Sequence, residues 1–256
     1  MAGLLMAWTS FEGLLMPSSY GHETENWRAQ SMGQDFINLG FIIPFYLYTA
    51  SFMHGRKWYF PLLWSGATLY FIYTYLIYCF DIHFNRLFVF YCLILCVHFY
   101  SLLYLLFLYW RQPLSVKTDS GLRRITGLYF IVVSLLFYCL WLAEIIPASL
   151  DGSIPYSLEV VGLFTNPVEV LDLSFVLPGI MITGFLLLLK KPLGITLAPV
   201  LLTFLFLMEL TVGGLILILW QKGLESHPIV AWFMFALAAF NLVLLLLHVK
   251  RNTVAV

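Results

Sequence analysis

TNPVEVLDLSFVLPGIMITGFLLLLKKPLG, Thr165 to Gly194, carries a helix start, a span and a stop in one continuous stretch. Thr165 or Asn166 can accept a bond from a free backbone N–H, Pro167 suits the first helical turn, and Glu169 and Asp172 favour its positive end. About 17 residues without a charge then follow, until Lys190 and Lys191, close to the least that crosses a hydrocarbon layer of roughly 30 Å. Acids at one end and lysines at the other give the span a direction, with the lysine end cytoplasmic.

The rest of the chain supports this class. Hydrophobic residues make up 62% and charged residues 10%, against about 25% charged in an average soluble domain. Such a chain cannot solvate a globular surface and requires the lipid bilayer as a partner. Basic residues occur as pairs at span ends, with no extended patch, so nucleic acid is excluded as a partner. Cys79, Cys92, Cys96 and Cys139 all fall in apolar spans without zinc-finger spacing, and are expected as buried free thiols.

The expected fold is all-α, an integral membrane bundle of seven transmembrane helices at about 36–53, 58–80, 87–110, 125–142, 171–189, 195–220 and 228–247. Residues 1–34 are expected outside the membrane. Met1 to Met16 is too short to span and lacks a basic n-region, so it reads as a tail or as an interfacial helix with Leu4, Trp8, Phe11 and Leu15 on one face. Pro17 to Gln34 reads as a solvated segment, and a loop of roughly twenty residues is expected after Leu142. Pro44 predicts a kink in the first span.

Ten of the 13 Lys and Arg fall on one side, at Arg56, Lys57, Arg111, Lys117, Arg123, Arg124, Lys190, Lys191, Lys250 and Arg251. Only Arg28, Arg86 and Lys222 fall on the other, which places the N-terminus outside and the C-terminus inside.

Glu209 is the only acid deep inside a span, and a carboxylate in hydrocarbon is costly by several kcal/mol. At about 1.5 Å per residue it lies roughly 15 Å below the outer end, the depth of His98 on the third span. Tyr70, Ser134 and Thr183 share this layer, with Asn241 a little deeper. These six residues form a candidate site for a small molecule, cation, proton or lipid, in which His98 and Glu209 pair directly or through water. The same residues also suit a packing network that fixes helix register. A second candidate lies at the outer rim, where Asp81, His83, Glu169 and Asp172 offer oxygen and imidazole ligands to a divalent metal. Helix ends already explain Glu169 and Asp172 without a ligand role, and this is the stronger of the two readings.

Other classes lack their chemistry. The seventh span has no lysine for a retinal Schiff base, His98 is the only intramembrane histidine, and no GxSxG, P-loop or GxGxxG stands in a suitable context. No cofactor is therefore expected, and the balance leans away from an enzyme. No inverted repeat relates the first and last three spans, and seven is an awkward number for a duplication, which counts against a repeat-built transporter.

Gly33-Gln-Asp35, the aromatic helix from Tyr70 to Phe80, Phe84-Asn-Arg-Leu-Phe88 and Asn166-Pro-Val-Glu-Val-Leu-Asp-Leu173 form a set. Together they resemble a family of uncharacterised bacterial multi-pass membrane proteins, over about Gly33 to Leu247. The resemblance implies a bacterial inner-membrane location and transfers no activity. The expected function is binding or sensing of a small molecule, ion or lipid. The alternatives are an accessory or assembly subunit that contacts a membrane-protein partner, or an enzyme using the outer acidic rim.

Overall fold

The computed structural model describes residues 2–53, 55, 57–111 and 116–254. Its helices are α1 (Ala2–Leu15), α2 (Glu25–Ile37), α3 (Ile43–Ser51), α4 (Phe60–Asp81), α5 (Phe88–Arg111), α6 (Ser120–Asp151), α7 (Tyr156–Val161), α8 (Pro167–Leu171), α9 (Leu177–Leu188), α10 (Pro192–Gln221) and α11 (Pro228–Arg251). The only pairing among the described residues is a two-residue antiparallel ladder, β1 (Val116–Lys117) with β2 (Thr253–Val254). Among the described residues six helical stretches are long and apolar enough to cross a membrane: α4, α5, α6, Pro167–Leu188, α10 and α11.

Two π-helical turns interrupt this pattern, at Asn38–Ile42 between α2 and α3 and at Asp172–Val176 between α8 and α9. Each is followed two residues later by a proline, Pro44 or Pro178. A proline ring clashes with the carbonyl four residues before it, here Gly40 or Ser174, and the wider turn moves that carbonyl aside. The kink expected at Pro44 is thus a π-turn just ahead of it, and the helix there runs from Glu25 to Ser51 in three pieces.

Other boundaries move for local reasons. The fourth helix does not stop near Leu142 but continues to Asp151, carrying Pro147 in its last turns and ending where Gly152 takes φ 68. Its start is set by Asp119, whose carboxylate accepts from the Leu122 N–H at 2.8 Å. The Asn166 side chain caps α8 in the same way, accepting from the Val168 N–H at 3.1 Å. The cysteines are free as expected but not buried: Cys79 and Cys92 are half-buried, while Cys96 and Cys139 are exposed on apolar faces.

The chain forms two compact units, Met1–Pro113 with Pro199–Val249, and Leu114–Ala198 with Lys250–Val256. In the second, α6 and α9 approach closely at Gly127 and Gly184. A Cβ on Gly127 would stand 3.0 Å from the Gly184 carbonyl, and one on Gly184 would stand 2.8 Å from the Gly127 carbonyl. In the first unit α4 is the central helix, with Tyr70, Phe71 and Tyr75 fully buried.

The N-terminal segments differ most from expectation. Helix α1 is packed into the first unit, antiparallel to α2 and α3, with Gly3 against Leu47 and Gly13 against Asp35 and Tyr20. Its inward face is small or polar, Gly3, Thr9, Ser10 and Gly13 with Met6, while Leu4, Trp8, Phe11 and Leu15 point outward. The apolar stripe exists as expected, but the opposite face makes the helix contacts. Residues 17–34 are not simply solvated either, since Tyr20, Glu23, Trp27, Ala29 and Ser31 are buried.

Candidate functional site

The polar groups buried in the first unit fall into three clusters. At the end of the unit where α4 turns into α5, Glu23 accepts from the His83 backbone N–H at 2.8 Å and meets the His83 ring Nδ1 at 3.0 Å. Arg86 pairs with Glu12, and Trp27 Nε1 donates to the Asp81 carbonyl at 3.2 Å. Arg28 donates to the carbonyls of Tyr20, Gly21 and Glu23, which folds the turn before α2 into a cap. These contacts tie the first thirty-odd residues to the turn between α4 and α5.

Beneath this rim lies Asp35, 1% exposed, ahead of the apolar part of its helix. Tyr20 donates to one carboxylate oxygen at 2.6 Å and Tyr78 to the other at 3.1 Å. Tyr75 and Tyr91 pack on Tyr78 with ring centroids 5.6 and 5.1 Å away, and Tyr75 meets Thr9 of α1 at 3.0 Å. Burial pushes the Asp35 carboxyl up to about 7, against the opposing pull of the bonds from Tyr20 and Tyr78. Among the described residues no cation pairs with it.

The second cluster surrounds Tyr70. Its hydroxyl donates to Asn38 Oδ1 at 2.9 Å, receives a bond from Gln34 Nε2, and touches the Thr211 hydroxyl at 3.0 Å. Gln34 also donates to Asn38 Oδ1 at 3.2 Å, whereas the buried Asn38 Nδ2 has no hydrogen-bond partner among the described residues. Asn38 is the first residue of the π-turn, so this network grips the helix where its regular bonding is broken.

The third cluster is Glu209 with Asn241. Glu209 is 5% exposed on α10, and Asn241 Nδ2 on α11 donates to its Oε2 at 2.6 Å. Its other oxygen, Oε1, has no hydrogen-bond partner among the described residues. A carboxylate with one neutral donor and no cation is left short of compensation by several kcal/mol in a hydrocarbon environment, a deficit that a bound proton removes.

Glu209 and His98 do not bond each other. The His98 ring lies tilted against those of Tyr46 and Phe71, with centroids 5.3 and 5.4 Å away, and its Nδ1 donates to the Ile94 carbonyl at 2.7 Å. That bond fixes the tautomer and leaves Nε2 a buried acceptor without a hydrogen-bond partner among the described residues. In the second unit the Thr183 hydroxyl donates to the Gly179 carbonyl at 2.8 Å, and the buried Ser134 hydroxyl has no partner among the described residues.

Three of the four candidate metal ligands, His83, Glu169 and Asp172, have hydrogen-bond partners of their own. His83 is held by Glu23, Glu169 accepts from Asn166 at 2.9 Å, and Asp172 accepts from Trp141 Nε1 at 3.0 Å. Among the described residues no three His, Cys, Asp or Glu converge as a metal set.

The sequence alone suggested Glu209, Asn241, Tyr70 and His98 as candidates, and did not point to Gln34, Asn38 or the tyrosines around Asp35. The signal for the first two was available: an amide four residues from another, Gln34 and Asn38, is a poor choice for a lipid-facing helix. No family model matches the chain, and neither a curated protein nor a solved structure does.

Proposed function

We propose that this is a seven-span bacterial inner-membrane protein that binds a small cation, the proton, at Glu209. Asn241 positions the carboxyl, and the Tyr70 network holds the adjoining turn of α2. The first span is the interrupted helix through Pro44, added to the six long apolar stretches, and the basic ends of the helices face the cytoplasm. The observation that carries this reading is the half-satisfied acid. Glu209 is buried, bonded through one oxygen to a neutral amide, and without a cation among the described residues. A residue kept only for packing is served as well by glutamine, which donates and accepts without the cost of a charge.

Stability against pH separates the two roles. Thermal unfolding in detergent is expected to vary with pH differently in wild type and Glu209→Gln, because only the wild type gains or loses a proton there. Superimposable profiles would make Glu209 a packing residue and end the proposal.

A further inference from the structure

The two π-turns are one element used twice. Counting from Asn38 to Asp172 gives an offset of 134, and it also carries Asp35 onto Glu169, Leu39 onto Leu173, Phe41 onto Phe175, Pro44 onto Pro178 and Thr49 onto Thr183. The widened hydrogen bond falls at the same place in both, from the Ile43 N–H to the Asn38 carbonyl and from the Leu177 N–H to the Asp172 carbonyl. The threonine closes back on its own helix in both, Thr49 to the Phe45 carbonyl at 3.0 Å and Thr183 to the Gly179 carbonyl at 2.8 Å.

The correspondence extends beyond the turns. At the same offset the basic pair Arg56-Lys57 falls on Lys190-Lys191. Gly66 of α4 falls on Val200 of α10, and these equivalent positions touch, since a Cβ on Gly66 would stand 2.5 Å from the Val200 carbonyl. The third helices, α5 and α11, each have 24 residues and each end in arginine, Arg111 and Arg251. Their offset has grown because α10 outlasts α4, at 30 residues against 22.

Three helices per copy, with α6 crossing once between them, make both copies enter the membrane from the same side. The repeat is therefore parallel, and a search for an inverted relation passes over it. We infer that the chain is a tandem duplication of a three-helix unit and works as a carrier for the proton bound at Glu209. This rests on the binding role given to Glu209. Parallel repeats with interrupted helices at matched positions are a transporter architecture. A break in a helix gives up backbone hydrogen bonding, and its presence at equivalent places beneath an acid or amide provides two hinges, one for each entry helix.

The test uses the full chain in liposomes containing pyranine, with a potassium gradient and valinomycin to drive proton entry. Acidification faster than in protein-free vesicles is expected, falling to the protein-free rate in Glu209→Gln. Pro44→Ala and Pro178→Ala, confirmed as folded by gel filtration and thermal unfolding, should slow it by similar factors. Pro44→Gly and Pro178→Gly, which keep the helix bendable, should restore it. Wild-type flux equal to that of empty vesicles would overturn the carrier inference, while a pH profile altered by Glu209→Gln would still uphold binding. Slowing by one proline variant and not its counterpart would overturn the equivalence of the two copies.

Discussion

Asp35 and Glu209 are both buried acids without a cationic partner among the described residues, yet their surroundings differ in one respect. Asp35 has a phenol donating to each carboxylate oxygen, and those phenols come from the turn before α2 and from α4. Glu209 has one amide donor and one oxygen with no partner among the described residues. A saturated acid is a clamp, and an unsaturated one is available for chemistry. The comparison assigns Asp35 to holding the N-terminal segments in place and Glu209 to binding.

The largest effect is expected from Asp35→Ala. It removes the acceptor of two buried phenols at once and should cost about 3 kcal/mol or more, read as a large fall in unfolding temperature. A loss below about 1 kcal/mol would show that Asp35 is no clamp. Next comes Gly66→Val, whose added carbons meet the Val200 carbonyl of α10. A destabilisation of about 2 kcal/mol is expected in the same assay, and an unchanged midpoint would show that α4 and α10 can separate there freely.

Acidity sharpens the contrast further. The folded Asp35 carboxyl, at about 7, lies above its ordinary value of 3.8, so the folded protein holds an extra proton between the two. Its contribution to stability is therefore fully present below about pH 4, lost as pH rises towards 7, and flat beyond. Asp35→Asn should remove that slope. Persistence of the full slope in this variant would assign it to another group.

Glu209→Gln should change stability at a fixed neutral pH by less than about 1 kcal/mol, since glutamine keeps the bond to Asn241 without a charge. A loss comparable to that of Asp35→Ala would erase the distinction between the two acids. The smallest effect belongs to Glu12→Gln, which breaks the pair with the half-exposed Arg86. It should cost no more than about 1 kcal/mol and less in high salt. A larger, salt-independent loss would make that ion pair part of the clamp.

What could be read from the sequence follows from where each signal resides. The six long apolar stretches were legible because apolar runs bounded by charges leave little choice of structure. Glu209 was legible as the one acid in such a run, and Asn241 came from the same depth argument. The seat of α1 was not, because its buried face is Gly3, Thr9, Ser10 and Gly13, which pack by smallness and leave the apolar stripe pointing away. Residues 17–34 looked solvated because their polar atoms are paired with one another and with the turn after α4, which polarity alone does not reveal. The duplication escaped because its strongest trace is a short window around two prolines, recognisable once both π-turns are seen at one offset.

The function proposed here turns on the Glu209 carboxyl taking up and releasing a proton. Infrared difference spectra of the purified protein between acid and alkaline pH test it most directly. Acidification should give a carboxylic-acid band in both wild type and Glu209→Gln, since Asp35 also protonates, with one component present in wild type and missing in Glu209→Gln. Identical difference spectra from the two proteins would contradict it.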